Sequence, residues 1–524
     1  MLDTYQDFIK FPTALEQARR AKLIHGIFLL GLAGLSGVLA LSLILFGTHP
    51  AMIAWLLFFA GAVLILRQPR YGLYLILFLA LVGDGFLSFW YPFTKNFSSK
   101  ESLMYLSDSV SISPMECYMI LTLSALLLPA IMQRQPKFYV SRLFWPAIAF
   151  TVFIIYGLIW GIGRGGSVVI GLWEARPIFY IPILLFLANN LITRRQHINH
   201  LMWLAMLALF IEGLNGAYFY FFVLGADLSG TESITEHSAA IHMNTFFIFM
   251  IAVWLYKGSL FKRILLLLMA SPVLLTYLAA QRRAAFVTII VALIFLAIIL
   301  LKENRAAFVL IVPPLAVLGL LYLAVFWNQG GALALPAQAV KSVIAEDQAS
   351  QQDQLSNIYR VLENVNAHYN IRSQPITGVG FGQKIGIIVP LPDISFFVWW
   401  EYIIHNSIIW IWIKTGIGGF VTLLFLIGLS ILEGMKALIR LPSSDISAAT
   451  LTAVLYIMMH FIYAYVDMSW DNQSMIYVGT MMGIISVVER IVEIDIPTQK
   501  KRWPWQAEPK PSPLLRPLTG ERAA

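Results

Sequence analysis

The chain has 524 residues, of which 59% are hydrophobic, 14% aromatic and only 12% charged. Soluble globular proteins carry roughly a quarter charged residues, so this composition, with a mean hydropathy of +0.75, excludes a soluble globular protein and points to an all-α polytopic membrane protein. The net charge of +8 does not indicate a nucleic-acid partner, because lysines and arginines occur singly or in pairs between apolar runs, the distribution that membrane topology imposes.

The first 22 residues are polar, carry Lys10, Arg19 and Arg20, and read as a cytoplasmic amino terminus. No small-residue cleavage site follows the first apolar run, so that run reads as an uncleaved helix. A membrane-crossing helix needs about 20 mainly apolar residues. Fourteen segments qualify, centred on 23–46, 51–66, 71–90, 114–133, 143–162, 177–193, 201–225, 238–256, 264–281, 284–301, 306–327, 405–433, 446–466 and 473–488. The second and last are short, which leaves twelve to fourteen. Residues 23–327 thus hold helices 1–11 and residues 405–488 hold helices 12–14.

Cytoplasmic connections retain Lys and Arg. Threaded as fourteen helices with both termini cytoplasmic, one side collects Arg67/Arg70, Arg134/Lys137/Arg142, Arg194/Arg195, Lys257/Lys262/Arg263, Lys302/Arg305 and Lys436/Arg440. The other side holds fewer cations: Lys95, Lys100, Arg164, Arg176, Arg282, Arg283, Lys341, Arg360, Arg372 and Lys384. Topology works against placing charge there, so some of these are expected to serve a purpose. Cys117 is the only cysteine and can form no internal disulfide.

One connection is long, the outward or periplasmic loop of residues 328–404. Leu355, Ile358/Tyr359, Leu362 and Val365 recur at three- and four-residue spacing and predict an amphipathic helix lying on the membrane face. The run from Pro375 to Gly382, with Gly378 and Gly380, must turn, and a lid-like segment ending at Trp399 and Trp400 follows. It lacks the Lys-Ser/Thr ending of a phosphate-binding loop. Residues 489–524, rich in Pro with Trp503 and Trp505, read as a disordered cytoplasmic tail.

Arg282 and Arg283 sit in a connection of almost no length, held at the outer membrane surface where a lipid-linked phosphate would lie. Arginine suits that ligand, since its fork stays charged and pairs bidentately with phosphate oxygens. Arg360 and Arg372 on the loop are the further candidates for the same clamp. His405 opens the twelfth helix; a neutral imidazole is the natural base for a sugar hydroxyl. Glu401, four residues earlier, is expected to hold its ring in one tautomer if helical geometry extends that far back. Asn406 follows, and Gly416 and Gly419 permit close helix approach beneath. Lys414, on the same helix as His405, either faces the glycan groove or snorkels, and Arg176 beside Trp173 and Glu174 is a further candidate phosphate contact. The membrane-depth Asp84, Glu212, His242, Asn244, His460 and Asp467 either line a substrate groove or pair between helices. No strong metal-ligand spacing and no paired outward carboxylates occur, which favours a metal-independent mechanism without cofactor.

These residues resemble the O-antigen ligase and polymerase superfamily of bacterial membrane glycan transferases. Its loop signature, a His followed by Asn, nine residues, a Gly, two residues and a small residue, is met by His405, Asn406, Gly416 and Gly419. Arg360, Pro375, Gly378 and Gly380 are similar to the upstream Arg and Gly-x-Gly turn, and Arg283 with Ala284 and Ala285, beside Arg282, is similar to its third element. The match covers about residues 280–430; Asn364 stands where the family often has Leu or Trp, and typical members have about twelve spans. The resemblance implies a C-type glycosyltransferase-like helical fold in the bacterial cytoplasmic membrane. It further implies transfer of an undecaprenyl-pyrophosphate-linked glycan to an acceptor glycan or lipid, with chain-length regulator and flippase proteins as further partners. Within that class, polymerase of a surface polysaccharide is favoured over ligase. The competing reading is a fourteen-span lipid-linked oligosaccharide flippase or transporter, which would show two related halves.

Overall fold

The computed structural model describes residues 50–495, apart from residues 86, 88–92, 133–137, 229–230, 232, 349–350, 393–398 and 443, together with residues 26, 33–34 and 36–37. The predicted first span at 23–46 falls almost wholly outside the described residues, as do the amino-terminal segment and the tail beyond residue 495.

Each other predicted span contains a helix, although in the one predicted at 71–90 the helix ends at Val82, before the glycine at position 83. The order is α1 (Pro50–Arg67), α2 (Arg70–Val82), α3 (Pro114–Met132), α4 (Phe144–Gly163), α5 (Val168–Ala175), α6 (Tyr180–Leu191), α7 (Arg195–Tyr218) and α8 (Ala239–Leu255). It continues with α9 (Leu260–Ala279), α10 (Arg283–Glu303), α11 (Arg305–Phe326), α12 (Leu335–Ile344), α13 (Gln351–Ser373), α14 (Ser407–Arg440), α15 (Asp445–Val466) and α16 (Asn472–Asp495). The protein is therefore an all-α polytopic membrane protein. Among the described residues, ten helical stretches are long and apolar enough to cross a membrane, and Ala51–Arg67, Arg70–Val82 and Ala239–Leu255 are shorter apolar helices. The sixth span is longer than predicted, because α5 and α6 join into one stretch, Val168–Leu191. The last helix runs on to Asp495, past the expected tail boundary at 489, because Ile491 and Val492 continue its buried stripe.

Helix starts follow local capping chemistry. Ser167, Ser259, Asn304 and Asn406 each accept a hydrogen bond from a first-turn amide of α5, α9, α11 and α14, satisfying donors that a helix leaves orphaned. α15 and α16 form the centre, with 83% of each membrane window buried, whereas the window of α11 has none buried. Around them α16 packs on α6, α15 on α8 and α14, α14 on α4, α9 on α7, and α10 on α15 and α12.

The glycine turn is wedged between α4 and α14. Gly416 interrupts α14 with φ 70° and ψ −174°, a conformation that glycine reaches without the Cβ penalty other residues meet. The kink frees backbone groups that the turn satisfies: the Val379 amide donates to the Ile413 carbonyl at 2.6 Å, and the Ile417 amide to that of Pro375 at 3.0 Å. On the other side Gly380, at φ 95°, lies directly against Gly161 of α4.

Lys414 neither faces a groove nor snorkels, as its sequence position suggested. Its side chain is 0% exposed and its ammonium lies 2.7 Å from the carboxylate of Glu174 on α5, itself 1% exposed. The same ammonium donates to the Gln383 carbonyl at 2.8 Å, and the Glu174 carboxylate accepts from the Gly382 amide at 2.6 Å. One buried ion pair thus clips the end of the glycine turn to two membrane helices. Removing one partner of such a pair strands a desolvated charge and costs about 3–5 kcal/mol. Glu174→Gln should lower the thermal unfolding midpoint of the purified protein markedly, and the double change Glu174→Leu with Lys414→Met should recover most of that loss.

Candidate functional site

His405 lies in the turn that precedes α14, where Asn406 caps the helix by accepting from the Ile409 amide at 3.1 Å. Its ring is held by Glu363 of the loop helix α13: Nδ1 lies 3.1 Å and 3.2 Å from the two carboxylate oxygens, and the His405 amide donates to one of them at 2.9 Å. Tyr359, one turn earlier on α13, meets the imidazole edge-on at 5.6 Å. With Nδ1–H donating to the carboxylate, Nε2 is the nitrogen left to accept a proton. Burial by itself would lower the His405 pKa; the hydrogen bond and charge of Glu363, helped by Asp467, outweigh burial and the opposing Arg360 charge and raise it above the ordinary 6.5.

Glu401 does not hold this ring. Residues 401–404 form a turn and loop instead of a helical extension, so the four-residue spacing loses its meaning, and Glu401 pairs with Lys384 at 2.6 Å. Sequence reasoning missed Glu363, although its position three residues after Arg360 puts both on one helix face. The predicted apolar stripe of α13 is also turned round. Leu355, Ile358 and Val365 are exposed, while Glu363, Asn366 and Asn370 are buried. The helix packs its polar face onto polar backbone: the Asn366 side chain accepts from the Ile388 and Val389 amides at 2.9 Å and donates to the Val389 carbonyl at 2.9 Å. Asn370 brackets Gly386 in the same way, accepting at 2.9 Å and donating at 2.8 Å.

Beside His405 stands Asp467, the residue that ends α15. Its carboxylate lies 3.4 Å from Nδ1 of His237 and accepts from the Tyr463 hydroxyl at 3.1 Å; that hydroxyl also contacts the His237 carbonyl. Burial would raise the Asp467 carboxyl, but the bond and charge of His237 and the charges of Arg360 and Arg282 overcome it and hold the group well below the usual carboxylate range. The charges of Arg282, the N-cap residue of α10, and Arg360 of α13 therefore both act on one carboxylate from distant parts of the chain. The Arg360 Nε is buried without a hydrogen bond among the described residues, a cost of about 1–3 kcal/mol that an anion could remove. Ser407 ties the two halves together: its hydroxyl donates to the Asp467 carbonyl at 3.2 Å, and its carbonyl accepts from Trp470 Nε1 at 2.7 Å.

The other predicted cations divide by their partners. Arg283 opens α10 next to Arg282. Arg372 is on the same continuous helix as Arg360, and twelve residues at about 1.5 Å rise put it about 18 Å further along the axis; the two are not brought together. Arg176 is consumed structurally, gripping Glu116 with two nitrogens and donating to the Ser111 carbonyl and Asn96 at 3.0 Å each. Lys95 pairs with Glu101, and Arg164 donates to Gln374 at 2.6 Å. Gly378, Gly380 and Gly416 act through backbone packing around the turn, whereas Gly419 lies against the side chains of Thr415 and Phe153. Several membrane-depth polar residues pair between helices: Asn244 donates to the Ala285 carbonyl at 2.8 Å, and His242 lies 3.1 Å from Ser474.

Residues 266–424 match the family model described as O-antigen ligase. The matched segment runs from α9 into α14 and so includes Arg282, Arg283, Arg360, Glu363, Gly378, Gly380, His405, Asn406, Gly416 and Gly419, whereas His237 and Asp467 lie outside it. No curated protein matches the chain.

The Glu363–His405 pair makes a direct forecast. In a histidine NMR titration, His405 should titrate above 6.5 in the native chain; in Glu363→Gln, where burial and Arg360 act with less opposition, its midpoint should fall. An unchanged midpoint would show that Glu363 does not set the protonation of the ring.

Proposed function

We propose that this chain, whose residues 266–424 form an O-antigen ligase family segment, is a membrane glycosyltransferase of surface polysaccharide synthesis. Its donor is a glycan carried on undecaprenyl pyrophosphate and its acceptor a sugar hydroxyl, met at the outer face of the bacterial cytoplasmic membrane. The observation that carries this reading is an imidazole oriented by the Glu363 carboxylate, near Asp467, whose carboxyl feels the charges of Arg282 at the start of α10 and Arg360 on α13. No step requires a metal or a cofactor.

In the reaction, His405 Nε2 takes the proton of the acceptor hydroxyl while its Nδ1–H stays on Glu363. The acceptor oxygen attacks the anomeric carbon, the bond from that carbon to the pyrophosphate oxygen breaks, and the anionic lipid pyrophosphate leaves against Arg282, Arg283 and Arg360. Preplaced cations act most strongly where charge develops in a site of low dielectric. Glu363 stabilises the imidazolium that forms and Asp467 balances the arginines before the donor arrives. A single displacement inverts the configuration of the anomeric carbon.

Polymerase and ligase forms share this chemistry and differ in the acceptor. We carry the polymerase form first; cells lacking the protein should then accumulate single lipid-linked repeat units, whereas accumulated long chains would identify a ligase. His405→Ala should lower glycan transfer by about 10²–10⁴ with the protein still in the membrane, and wild-type product levels in that variant would sink the proposal. The rate should fall as pH drops through the raised His405 pKa, because the protonated ring is no longer a base, and Glu363→Gln should move that acid limb to lower pH.

A further inference from the structure

A cavity of about 350 Å³ adjoins the histidine and arginine cluster, lined among the described residues by Trp173, Trp399, Trp410 and Trp470 together with Glu236 and Asp471. Its walls come from both sides of the site already described: Ile403 lies two residues before His405, and His237 and Met468 flank Asp467. The volume falls in the range of small-ligand pockets, about 300–1,000 Å³. We propose that this cavity is a glycan subsite that takes an uncharged sugar ring and discriminates against acidic sugars; the proposal rests on the transferase reading above and names the chemistry of its substrate.

The tryptophans present surfaces to the cavity with few unmet polar demands of their own. Trp410 Nε1 donates to the Tyr402 carbonyl at 2.9 Å and Trp470 Nε1 to the Ser407 carbonyl at 2.7 Å, so both indoles are pinned by bonds within the protein. Trp173 and Trp399 stack at 5.6 Å with 28° between their planes. Rigid indole faces suit the C–H face of a pyranose, an amphipathic ring with hydroxyls at its rim.

The polar groups set the charge preference. Among the described residues no lysine or arginine lines this cavity. The Glu174 carboxylate at its wall is already neutralised by Lys414 and bonded to the Gly382 amide. Asp471 caps α16 through the Ser474 amide and hydroxyl, each at 2.8 Å. Glu236 accepts from the Gly85 amide at 2.8 Å, while its own amide donates to Asp84 at 2.9 Å. Burial first, then the neighbouring Asp84 and Asp471 charges, push the Glu236 carboxyl up to about 8, so at neutral pH it offers a donor as well as acceptors to a hydroxyl. A uronate brought here would meet Asp471 and this carboxyl cluster with no cation among the described lining residues; Arg176, over the Trp173 ring at 5.8 Å, is already paired with Glu116. An adjoining cavity of about 450 Å³ shares Glu236, Asp471 and Asn472 and is also lined by Lys95, which gives an extended glycan somewhere to continue.

The test uses the full chain in lipid nanodiscs and, as probe, one repeat unit released by mild acid from the host's own lipid-linked glycan. The repeat unit should quench tryptophan fluorescence on binding. Trp173→Ala should weaken that binding by about fivefold, and Trp173→Phe should retain most of it; Trp173 is 42% exposed, so neither variant disturbs a core position. A tetragalacturonate should fail to compete in the native chain and should begin to compete in Glu236→Gln with Asp471→Asn. Unchanged binding in Trp173→Ala, preference for the uronate, or displacement of the repeat unit by polyisoprenyl phosphate alone would each overturn the subsite. Sugar binding without any glycan transfer would instead overturn the transferase reading and leave the subsite standing, whereas transfer with an equal KM in native and Trp173→Ala protein would do the reverse.

Discussion

The buried pair Lys414–Glu174 governs the arrangement of the face that carries the long loop of residues 328–404. A charged pair without water needs further hydrogen bonds to offset its desolvation, and here the Gln383 carbonyl and the Gly382 amide supply one to each member. The requirement to satisfy two membrane-buried charges therefore dictates where the loop after the glycine turn must run. The glycines make that path sterically available: Gly416 opens α14 to Pro375 and Val379, and Gly380 lets the chain lie against Gly161.

From that anchor the loop helix is placed by polar, not apolar, contacts. Asn366 and Asn370 substitute for a strand partner, bonding residues 386–389 through amide side chains. Their face of α13 also carries Glu363, so the geometry that holds the loop down delivers the carboxylate to His405. The apolar residues Leu355, Ile358 and Val365 are left outward, where a helix beside a membrane can meet lipid. The stability of the loop and the orientation of the histidine are thus one structural problem with one solution.

The electrostatics of this face divide into two regions. Around His405 and Asp467, the charges of Arg360 and Arg282 act beside the Glu363 and Asp467 carboxylates. Toward Glu236 and Asp471 the cations give way to carboxyls and tryptophans. A lipid-linked glycan has the same division along its length, an anionic linkage at one end and sugar at the other.

The amino-acid sequence by itself determined that the chain spans a membrane, and of the thirteen predicted segments that fold as helices among the described residues, ten are long and apolar enough to cross, because a long apolar run in lipid must satisfy its backbone internally, as a helix does. It also singled out His405, Arg282, Arg360 and the glycine run, since polar and conformationally special residues are costly in such a setting and stand out from it. It set Glu401 against His405, Lys414 toward a groove or the interface, and the apolar stripe of α13 inward, all of which the structure arranges otherwise, and it overlooked Glu363 and His237. Those errors share a cause: which carboxylate a cation or imidazole meets depends on residues as much as 291 positions apart, as Arg142 and Glu433 illustrate, and no local spacing encodes that separation. Tertiary structure alone decided the pairings, because an ion pair in a low-dielectric interior is selected by the packing of helices that bring its members together.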